Sequence, residues 1–270
     1  MELSNNQEKW DRKEKVSLYT NEALQIPEIL IFIKHKNCFY EKKILDIGCG
    51  AGRTTIYLSK LANKYTGIDY SSVMIEYCKE MFEDTQFECL DAREMSVFKD
   101  NSFDFVLFSY NGIDYVAHED RIRILREINR VLKKDHILVF SSHNKEYKNI
   151  GLKPNMPVSK NPCKQLTIVR NYLESLVNHQ KLKSKQYFGE DYSIINDVEG
   201  NYSLLTYYID KKAQKIQLEE NGFELLEMYD TSGNRIDDTN TVKESPWIYY
   251  VAKKVNCISE SEKNTNSTTY

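Results

Sequence analysis

The sequence lacks the patterns that mark several common classes of protein. Its six cysteines, at positions 38, 49, 78, 89, 163 and 257, form no C-x-x-C pair and no cysteine–histidine cluster with the spacing of metal ligands. We therefore expect no metal site, and reduced thiols that behave as small apolar residues. The N-terminal region has no signal-peptide core, and its longest apolar run, Ile29 to Ile33, is far too short to cross a bilayer. These absences predict a cytoplasmic protein that does not enter the membrane.

A basic tract is missing as well. The chain has 37 lysines and arginines against 40 acids, a formal net charge of −3, and the cations are spread along its length. Because nucleic acids and anionic membranes are bound through clustered positive charge, we expect neither as a partner. What remains is 270 residues with 41% hydrophobic content, enough to bury the core of one enzyme-sized domain with an elaboration.

The most informative segment is residues 44–55, Ile-Leu-Asp-Ile-Gly-Cys-Gly-Ala-Gly-Arg-Thr-Thr. An apolar run ending in Asp46 predicts a buried strand, and the alternating glycines predict a tight turn that leaves room for a ligand beside the backbone. The same turn can open a helix, whose first amides are unpaired hydrogen-bond donors. A lone glycine-rich turn is also common without any ligand, so the spacing has to decide.

The glycine spacing disfavours two phosphate-binding loops. The dinucleotide fingerprint is G-x-G-x-x-G, but counted from Gly48 its third glycine falls on Arg53, and counted from Gly50 it falls on Thr55. The P-loop ends in Gly-Lys before a serine or threonine, and no Gly-Lys pair occurs in the sequence. A nicotinamide oxidoreductase therefore remains only as a weak alternative.

The remaining pattern, D-x-G-x-G-x-G from Asp46 to Gly52, resembles the first motif of the class I S-adenosylmethionine-dependent methyltransferases. Two further acids extend the resemblance. Asp69 ends a second short strand, 23 residues after Asp46, where the family has the acid that binds both ribose hydroxyls. Asp91 ends a third strand, where the family acid pairs with the adenine amino group. The resemblance implies S-adenosylmethionine as the cofactor.

The residues that we expect to hold this cofactor lie on or next to the strand ends. Cys49, inside the turn, is either a nucleophile or a small residue that packs beneath the cofactor, and the absence of a flanking base favours packing. The expected cofactor-binding residues are Asp46, Gly48, Gly50, Arg53, Asp69, Tyr70, Asp91, Ala92 and Ser109.

Alternating strand and helix patterns predict a doubly wound α/β fold with a mostly parallel sheet. The resemblance implies a seven-stranded sheet that ends in an antiparallel pair. In place of the family's Pro-Gly-Gly-type turn before the fifth strand stands Lys134-Asp135-His136, and we expect His118 and Asp120 to cap the helix before it. Strands are predicted at 44–46, 65–69, 87–91, 103–109, 136–141, 223–229 and 247–253, and helices at 54–62, from Ser71 or Ser72 to 81, at 118–132 and at 211–221.

The chain divides accordingly into five parts. The specific family motifs lie in the second part, and the fourth matches the family by pattern only. We expect an N-terminal helical cap segment at 1–39, a cofactor-binding core at 40–144, a substrate cap insertion at 145–209, the C-terminal part of the core sheet at 210–254 and a disordered tail at 255–270.

The cap insertion is rich in tyrosine, and long ordered insertions usually carry function. Residues 187–195 and 202–209 predict a small β-hairpin joined by a turn at 197–201. Ligand sites in open α/β sheets lie beyond the carboxyl ends of the strands, so we expect this hairpin to cover the site. An N-terminal helix with Trp10, Leu18 and Tyr19 would close the other side. The alternative is that the tyrosines only build a small second core.

Methyl transfer from a sulfonium is an in-line displacement that gains most from alignment and the exclusion of water, so a general base is optional. His143, which follows the fifth strand, is the best candidate base because imidazole titrates near neutral pH. A structural or substrate-orienting role is the alternative for this histidine. The residues that we expect to bind the acceptor are Tyr19, Asn111, Asp114, Tyr115 and Tyr207.

We therefore predict a methyltransferase that acts on a nitrogen or oxygen atom of a small-molecule or peptide-like acceptor. One alternative is a non-catalytic cofactor-binding or regulatory module that retains the fold. Another is a nucleic-acid methyltransferase, but amino-DNA methyltransferases carry Pro-Pro-Tyr or Pro-Pro-Phe after the fourth strand, where this chain has Ser109-Tyr110-Asn111-Gly112. The sequence indicates neither the acceptor nor the oligomeric state.

Overall fold

The computed structural model describes residues 23–255, so Trp10, Leu18, Tyr19 and nearly all of the expected tail lie outside the described residues. Its strands are β1 Lys43–Ile47, β2 Lys64–Asp69, β3 Gln86–Cys89, β4 Phe103–Phe108, β5 Leu132–Asn144, β6 Tyr187–Phe188, β7 Tyr192–Ile195, β8 Thr206–Ile209, β9 Phe223–Tyr229, β10 Arg235–Ile236 and β11 Trp247–Lys254. Its helices are α1 Ile26–Lys34, α2 Lys36–Phe39, α3 Thr55–Leu61, α4 Ser72–Met81, α5 His118–Val131, α6 Pro162–Leu182 and α7 Lys211–Glu220.

The central sheet has the strand order β3-β2-β1-β4-β5-β11-β9-β10. The five strands from β3 to β5 pair in parallel, and β11 runs antiparallel to both β5 and β9. The predicted doubly wound sheet with a terminal antiparallel pair is therefore confirmed. Within the described residues the sheet also has β10 at its edge, and three short strands of the cap insertion join it.

Helices cover both faces of the sheet because its central strand is apolar on both sides. Val106 and Phe108 of β4 pack in the cluster formed with α5 and α7, whereas Phe105 and Leu107 pack in the cluster formed with α1 to α4. Successive side chains of a strand point to opposite faces, and a strand buried on both faces is typical of a parallel sheet. The result is a three-layer core that leaves the carboxyl ends of β1, β2, β4 and β5 open at one edge.

The predicted N-cap is correct at α4 and wrong at α5, although α5 begins at His118 as predicted. The Ser71 hydroxyl accepts the cap hydrogen bond of α4, as predicted. The prediction that His118 and Asp120 cap α5 is wrong, because Ala117 occupies the N-cap position and no side chain caps it. His118 instead forms a hydrogen bond with the Tyr207 hydroxyl in the cap insertion. No helix within residues 23–255 has the length and apolarity that crossing a membrane requires.

The turn predicted at Lys134–His136 is wrong as well. β5 begins at Leu132 and runs through these residues. Asp135 has a φ of +63°, and the pairing of β5 with β4 shifts register between Phe103 and Phe105. The irregularity that the polar sequence indicates is therefore absorbed as a bulge within a long strand.

The cap insertion contains α6, a helix of 21 residues that the sequence pattern did not predict. Its predicted hairpin is confirmed by the antiparallel pairing of β7 with β8, and β6 folds back on β7. β8 also pairs in parallel with the end of β5, where Tyr208 lies opposite His143. Tyr207 packs in a small core with Ile194 and Ile209. The insertion thus builds a second core and extends the main sheet beside the open edge.

A buried ion pair holds α1 over the glycine turn. Glu28, in the first turn of α1, is completely buried and accepts a hydrogen bond from each Nη atom of Arg53 at 2.6 Å. The Ser109 hydroxyl donates to the same carboxylate. One residue before α1, Gln25 accepts a hydrogen bond from the Trp247 indole at 3.0 Å. These contacts connect α1 to the turn after β1, to the end of β4 and to β11.

We predict that Glu28→Gln destabilises the fold by about 3 kcal/mol, because it leaves the Arg53 guanidinium buried without its counter-charge. The double variant Glu28→Gln/Arg53→Met should recover most of this loss, since it leaves no unpaired charge. Urea unfolding of both variants and of the native chain measures the difference. A double variant no more stable than Glu28→Gln would contradict the account.

Candidate active site

A cavity opens at the carboxyl ends of β1, β2, β4 and β5, which is where an open parallel sheet places its ligand site. The turn after β1 and the segment after β4 form much of its wall, and the cap insertion reaches it through Glu199. The structure therefore brings most of the predicted site residues together. Those that line the cavity are Asp46, Gly48, Gly50, Arg53, Asp69, Tyr70, Ala92, Ser109, Asn111, Tyr115 and His143.

The glycine turn presents bare backbone to this cavity. Gly48 and Gly50 have φ angles of +62° and +53°, in the left-handed region that glycine adopts without strain. A Cβ atom added at Gly50 would meet no other atom within 4 Å, so it would project into open space. The turn therefore leaves room for a ligand that packs directly against the main chain.

Asp69 stands at the edge of the cavity and organises the turn. Its Oδ2 accepts a hydrogen bond from the Gly50 backbone N–H at 3.0 Å, and its Oδ1 accepts one from the Ser71 backbone N–H at 2.9 Å. Half-buried at the end of β2, this carboxylate connects the glycine turn to the start of α4. The ribose contact expected for Asp69 stays a prediction.

Asp46 lies beneath the turn and is only 1% exposed. It accepts hydrogen bonds from the Thr54 hydroxyl and from the Tyr65 hydroxyl. Burial raises the pKa of Asp46 to about 6, although these two hydrogen bonds and the charge of Arg53 act in the opposite direction. Asp46 therefore supports the turn from below through contacts with other protein groups.

Cys49 is buried in the turn beside a second thiol. Contact with Cys78 and burial both raise the pKa of the Cys49 thiol well above its ordinary value. Its Sγ lies 3.1 Å from the position that a Cβ at Gly67 would take. Because the thiolate is the nucleophilic form, these surroundings favour the packing role expected from the sequence.

Arg53 and Ser109 line the cavity with polar groups that already have partners. The Arg53 guanidinium is held by Glu28, and the Ser109 hydroxyl donates to the same carboxylate. The guanidinium also lies over the Tyr110 ring, 4.9 Å from its centroid. These residues shape the wall between the turn and the end of β4.

Asp91 does not line the cavity, although its neighbours Leu90 and Ala92 do. Its carboxylate accepts hydrogen bonds from Nε and Nη2 of Arg93 at 2.7 to 3.0 Å. Arg93 in turn contacts Asp120 of α5 at 2.9 Å. The adenine contact expected for Asp91 therefore stays a prediction, and it competes with this ion pair.

The other end of the cavity is built around His143. Its Nδ1 lies 2.8 Å from Asp114 Oδ2, and its backbone N–H donates to the same oxygen at 2.6 Å. Because an ionised carboxylate only accepts hydrogen bonds, we assign the ring proton to Nδ1. The second ring nitrogen, Nε2, then keeps its lone pair, on a side chain that lines the cavity.

Asp114 lies behind His143 and is fully buried. Arg121, also fully buried, donates a hydrogen bond to Asp114 Oδ1, and the Ser142 hydroxyl donates to the same oxygen at 2.8 Å. Arg121 is itself held by Gln214 of α7 at 2.6 Å. Both carboxylate oxygens of Asp114 thus have protein partners, and one of these partners is His143, which Asp114 holds in position. Asp114 itself does not line the cavity. Its expected contact with the acceptor stays a prediction.

Aromatic rings surround His143. The ring centroids of Tyr115, Trp247 and Tyr208 lie 6.2, 6.3 and 5.0 Å from that of the imidazole. Tyr110 lies 6.3 Å from Trp247. At this end of the cavity the polar His143 imidazole is therefore surrounded by aromatic rings.

The segment after β4 is strained where it meets the cavity. Tyr110 and Asn111 have φ angles of +58° and +61°, which are uncommon for residues with a side chain. The Asn111 backbone N–H donates to the Ser141 hydroxyl at 2.8 Å, but Asn111 Oδ1 is buried without a hydrogen-bond partner. Strained backbone and an unsatisfied polar atom are typical of ligand-binding loops.

The set of residues that line the cavity differs in part from the set predicted from the sequence. Glu199 and Trp247 line the cavity and were not predicted, although Glu199 belongs to the predicted hairpin turn and Trp247 begins a predicted strand. The pairing of strands that would have located them is not visible in the sequence. Tyr207 lies outside the cavity wall, stacked on Tyr192 at 4.9 Å. Tyr19 lies outside the described residues.

Residues 44–135 match a family described as a methyltransferase domain. A putative methyltransferase of Bacillus subtilis is 33% identical over 106 residues, which cover 38% of this chain and 42% of the relative. An uncharacterized protein of Methanocaldococcus jannaschii is 31% identical over 177 residues, 63% of this chain and 64% of the relative. An rRNA adenine N-6-methyltransferase of Bacteroides fragilis is 31% identical over 119 residues, 42% and 43% of the two chains. The chain spans about half the length of the curated relatives it matches.

Two solved structures share the fold. An S-adenosylmethionine-dependent methyltransferase from Clostridium acetobutylicum superposes with a TM-score of 0.59 at 14% identity, covering 85% of this chain and 91% of that one. The 1,6-didemethyltoxoflavin-N1-methyltransferase of Burkholderia thailandensis, solved with bound 1,6-didemethyltoxoflavin and S-adenosylhomocysteine, superposes with a TM-score of 0.59 at 12% identity, covering 94% of this chain and 88% of that one. At these identities the likeness concerns the fold alone.

We predict that Asp46→Asn changes how stability depends on pH. The pKa of Asp46 is about 6 in the folded chain and about 3.9 in an unfolded one. A raised acid pKa means that the native chain loses stability at this residue as the pH rises from about 4 to 6, whereas asparagine does not ionise. The stability of the variant relative to the native chain should therefore rise by about 2 to 3 kcal/mol across this range. Urea unfolding at several pH values measures it, and a pH-independent difference would contradict the assignment.

Proposed function

We propose that this chain is a class I S-adenosylmethionine-dependent methyltransferase that transfers a methyl group to a nitrogen or oxygen of a small-molecule or peptide-like acceptor. Its membership rests on the doubly wound sheet, the D-x-G-x-G-x-G turn and the matched methyltransferase domain. The observation that carries the proposal is that the glycine turn and His143 line the same cavity. A cofactor end and a candidate base thereby face one space.

S-adenosylmethionine is the cofactor of this family, and the residues of the turn fit it. The open space beside Gly50 admits a ligand against the backbone, and Asp69 has a carboxylate at the cavity edge. In our proposal the turn holds the amino-acid end, Asp69 and Tyr70 hold the ribose, and Leu90 and Ala92 pack against the adenine. When bound, the cofactor supplies a methyl group that its positively charged sulfur already activates.

His143 then has the role of the base. With Nδ1 donating to Asp114, the Nε2 lone pair is available for a proton from an amine or hydroxyl acceptor. The buried Asp114 stabilises the imidazolium that results, and the aromatic rings of Tyr115 and Trp247 restrict water around it. The proposal is supported by a histidine that lines the cavity while a buried carboxylate holds its Nδ1.

An RNA acceptor is the alternative suggested by the printed activity of the Bacteroides relative. The cavity itself favours a small molecule. Among the described residues that line it, Arg53 is the one lysine or arginine, and Glu28 neutralises its charge. Nucleic-acid binding depends on cations that contact phosphates. A non-catalytic module is the second alternative, and it would bind the cofactor without turning it over.

Cofactor binding separates two of the predicted contacts. We predict that Asp69→Asn weakens S-adenosylmethionine binding by about 1 to 3 kcal/mol, because it loses charge-assisted hydrogen bonds. Asp91→Asn is the comparison, since the Asp91 carboxylate is held by Arg93 outside the cavity wall. We expect a smaller loss there.

Isothermal titration with S-adenosylmethionine and S-adenosylhomocysteine measures the affinity of the native chain, of Asp69→Asn and of Asp91→Asn. Absence of binding of either ligand to the native chain would overturn the proposed function. Equal losses in both variants would show that Asp91 leaves Arg93 to bind the adenine.

For His143 we predict that the substitution His143→Asn lowers methyl transfer by about 100- to 10,000-fold, the range typical of a general base. The asparagine amide can still donate to Asp114, so the site should keep its shape and its cofactor affinity. Release of S-adenosylhomocysteine measures the rate, and titration measures the affinity. Unchanged turnover would reduce His143 to a structural role.

A further inference from the structure

The half of the cavity next to His143 offers hydrogen-bond acceptors and negative charge. Nε2 of His143 has a lone pair, and Glu199 adds a carboxylate from the cap insertion. The tyrosine hydroxyls there can both donate and accept. Arg53, the one lysine or arginine among the described lining residues, is held by Glu28. A ligand that donates hydrogen bonds and carries positive charge matches this half of the cavity.

Glu199 is held in position by the turn that carries it. Its backbone N–H donates to Asp197 Oδ1 at 3.0 Å, and Asp197 Oδ2 accepts a hydrogen bond from the Tyr208 hydroxyl at 2.6 Å. Tyr208 lies beside His143, with 5.0 Å between their ring centroids. Among residues 23–255 no cationic side chain forms an ion pair with Glu199. The turn thus fixes the backbone of Glu199 at the cavity that His143 also lines, and within residues 23–255 its carboxylate has no cationic partner.

The surroundings of Tyr208 show that negative charge accumulates here. Burial, followed by the carboxylates of Asp197, Asp114 and Glu199, raises the pKa of the Tyr208 hydroxyl above its usual range. Of these acids, Asp114 has Arg121 against it. The charges of Asp197 and Glu199 remain, so this end of the cavity attracts cations and repels carboxylate or phosphate acceptors.

Ring faces complete the enclosure. Tyr115 and Trp247 lie 6.2 and 6.3 Å from the His143 ring, and Tyr110 lies 6.3 Å from Trp247. Aromatic faces attract a cation by their quadrupole, most strongly where water is excluded. A neutral alcohol could donate a hydrogen bond to the carboxylate, but it would gain neither an ion pair nor a cation–π attraction.

We propose that the acceptor is a small primary or secondary amine, bound as its ammonium ion between Glu199 and the rings of Tyr115 and Trp247. This inference rests on the proposed function and names its acceptor class. The ammonium ion first gives one proton to His143 Nε2, which yields a neutral amine and an imidazolium. The nitrogen lone pair then forms the bond to the methyl carbon while the carbon–sulfur bond breaks, and its electron pair stays on sulfur as a neutral thioether.

The first test compares matched acceptors. Phenethylamine and N-methylphenethylamine are offered to the full chain beside 2-phenylethanol, which has the same body with a hydroxyl in place of the nitrogen. Isotope-labelled S-adenosylmethionine with the small-molecule fraction of a cell extract provides an unbiased arm. Mass spectrometry identifies the methylated atom. We expect amine nitrogens to be methylated and kcat/KM for the alcohol to be at least about 100-fold lower.

The second test removes the charge of Glu199. Glu199→Gln should raise KM for the amine at least about tenfold, because an ion pair is replaced by a neutral contact. Its affinity for S-adenosylmethionine should stay unchanged. Glu190→Gln is the matched control, since Glu190 is an exposed carboxylate of the same insertion outside the cavity wall. It should leave KM at the native value.

The outcomes distinguish the two proposals. Methylation of oxygen in preference to amine nitrogen would overturn the amine acceptor and leave the proposed function intact, whereas preferred methylation of sulfur or carbon would overturn the choice of acceptor atom in both proposals. An unchanged amine KM in Glu199→Gln would overturn the amine acceptor and leave the proposed function intact. Cofactor binding without transfer to any component of either arm would overturn the proposed function itself.

Discussion

The site depends on the buried carboxylate of Asp114. Its Oδ1 accepts hydrogen bonds from Arg121 and Ser142, and its Oδ2 accepts hydrogen bonds from the ring and the backbone N–H of His143. A carboxylate taken fully out of water needs such compensation, and removal of one partner of a buried pair is strongly destabilising. The same contacts that make Asp114 tolerable in the core therefore orient the imidazole. Stability and the geometry of the base come from one arrangement.

This arrangement also connects the cap insertion to the core. The Arg121 guanidinium lies 4.6 Å from the centroid of the Tyr207 ring, and the Tyr207 hydroxyl forms a hydrogen bond with His118 on α5. β8 continues the pairing at the end of β5, beside His143. The insertion is thus joined to the sheet beside His143, which is why its turn can place Glu199 in the cavity. The segment that we propose to bind the acceptor therefore lies next to the residues that position His143.

The half of the cavity proposed to hold the cofactor was largely predictable from the sequence, and the half proposed to hold the acceptor was not. The glycine spacing and the acids at strand ends are local signals, because a strand and the turn after it determine where Asp46, Asp69 and the glycines lie. Glu199 and Arg121 reach the site because elements distant in sequence pack together. Glu199 depends on the pairing of β8 with β5, and Arg121 depends on the packing of α5 against α7. No short sequence pattern predicts either of these contacts. In the fold, the seven main strands follow from hydrophobic periodicity, whereas α6 and the bulge at Asp135 depend on tertiary context.

The proposed role of His143 requires one particular tautomer of its ring. With Asp114 as hydrogen-bond acceptor, the neutral ring carries its proton on Nδ1 and leaves Nε2 unprotonated. Nitrogen-15 NMR of the imidazole side chains at about pH 8.5, where a histidine of ordinary basicity is neutral, reads this tautomer directly, and loss of one signal set in the His143→Asn variant assigns it. We expect a protonated Nδ1 and an unprotonated Nε2. A ring protonated on Nε2 would contradict the account, because it would have no lone pair to offer an acceptor in the cavity.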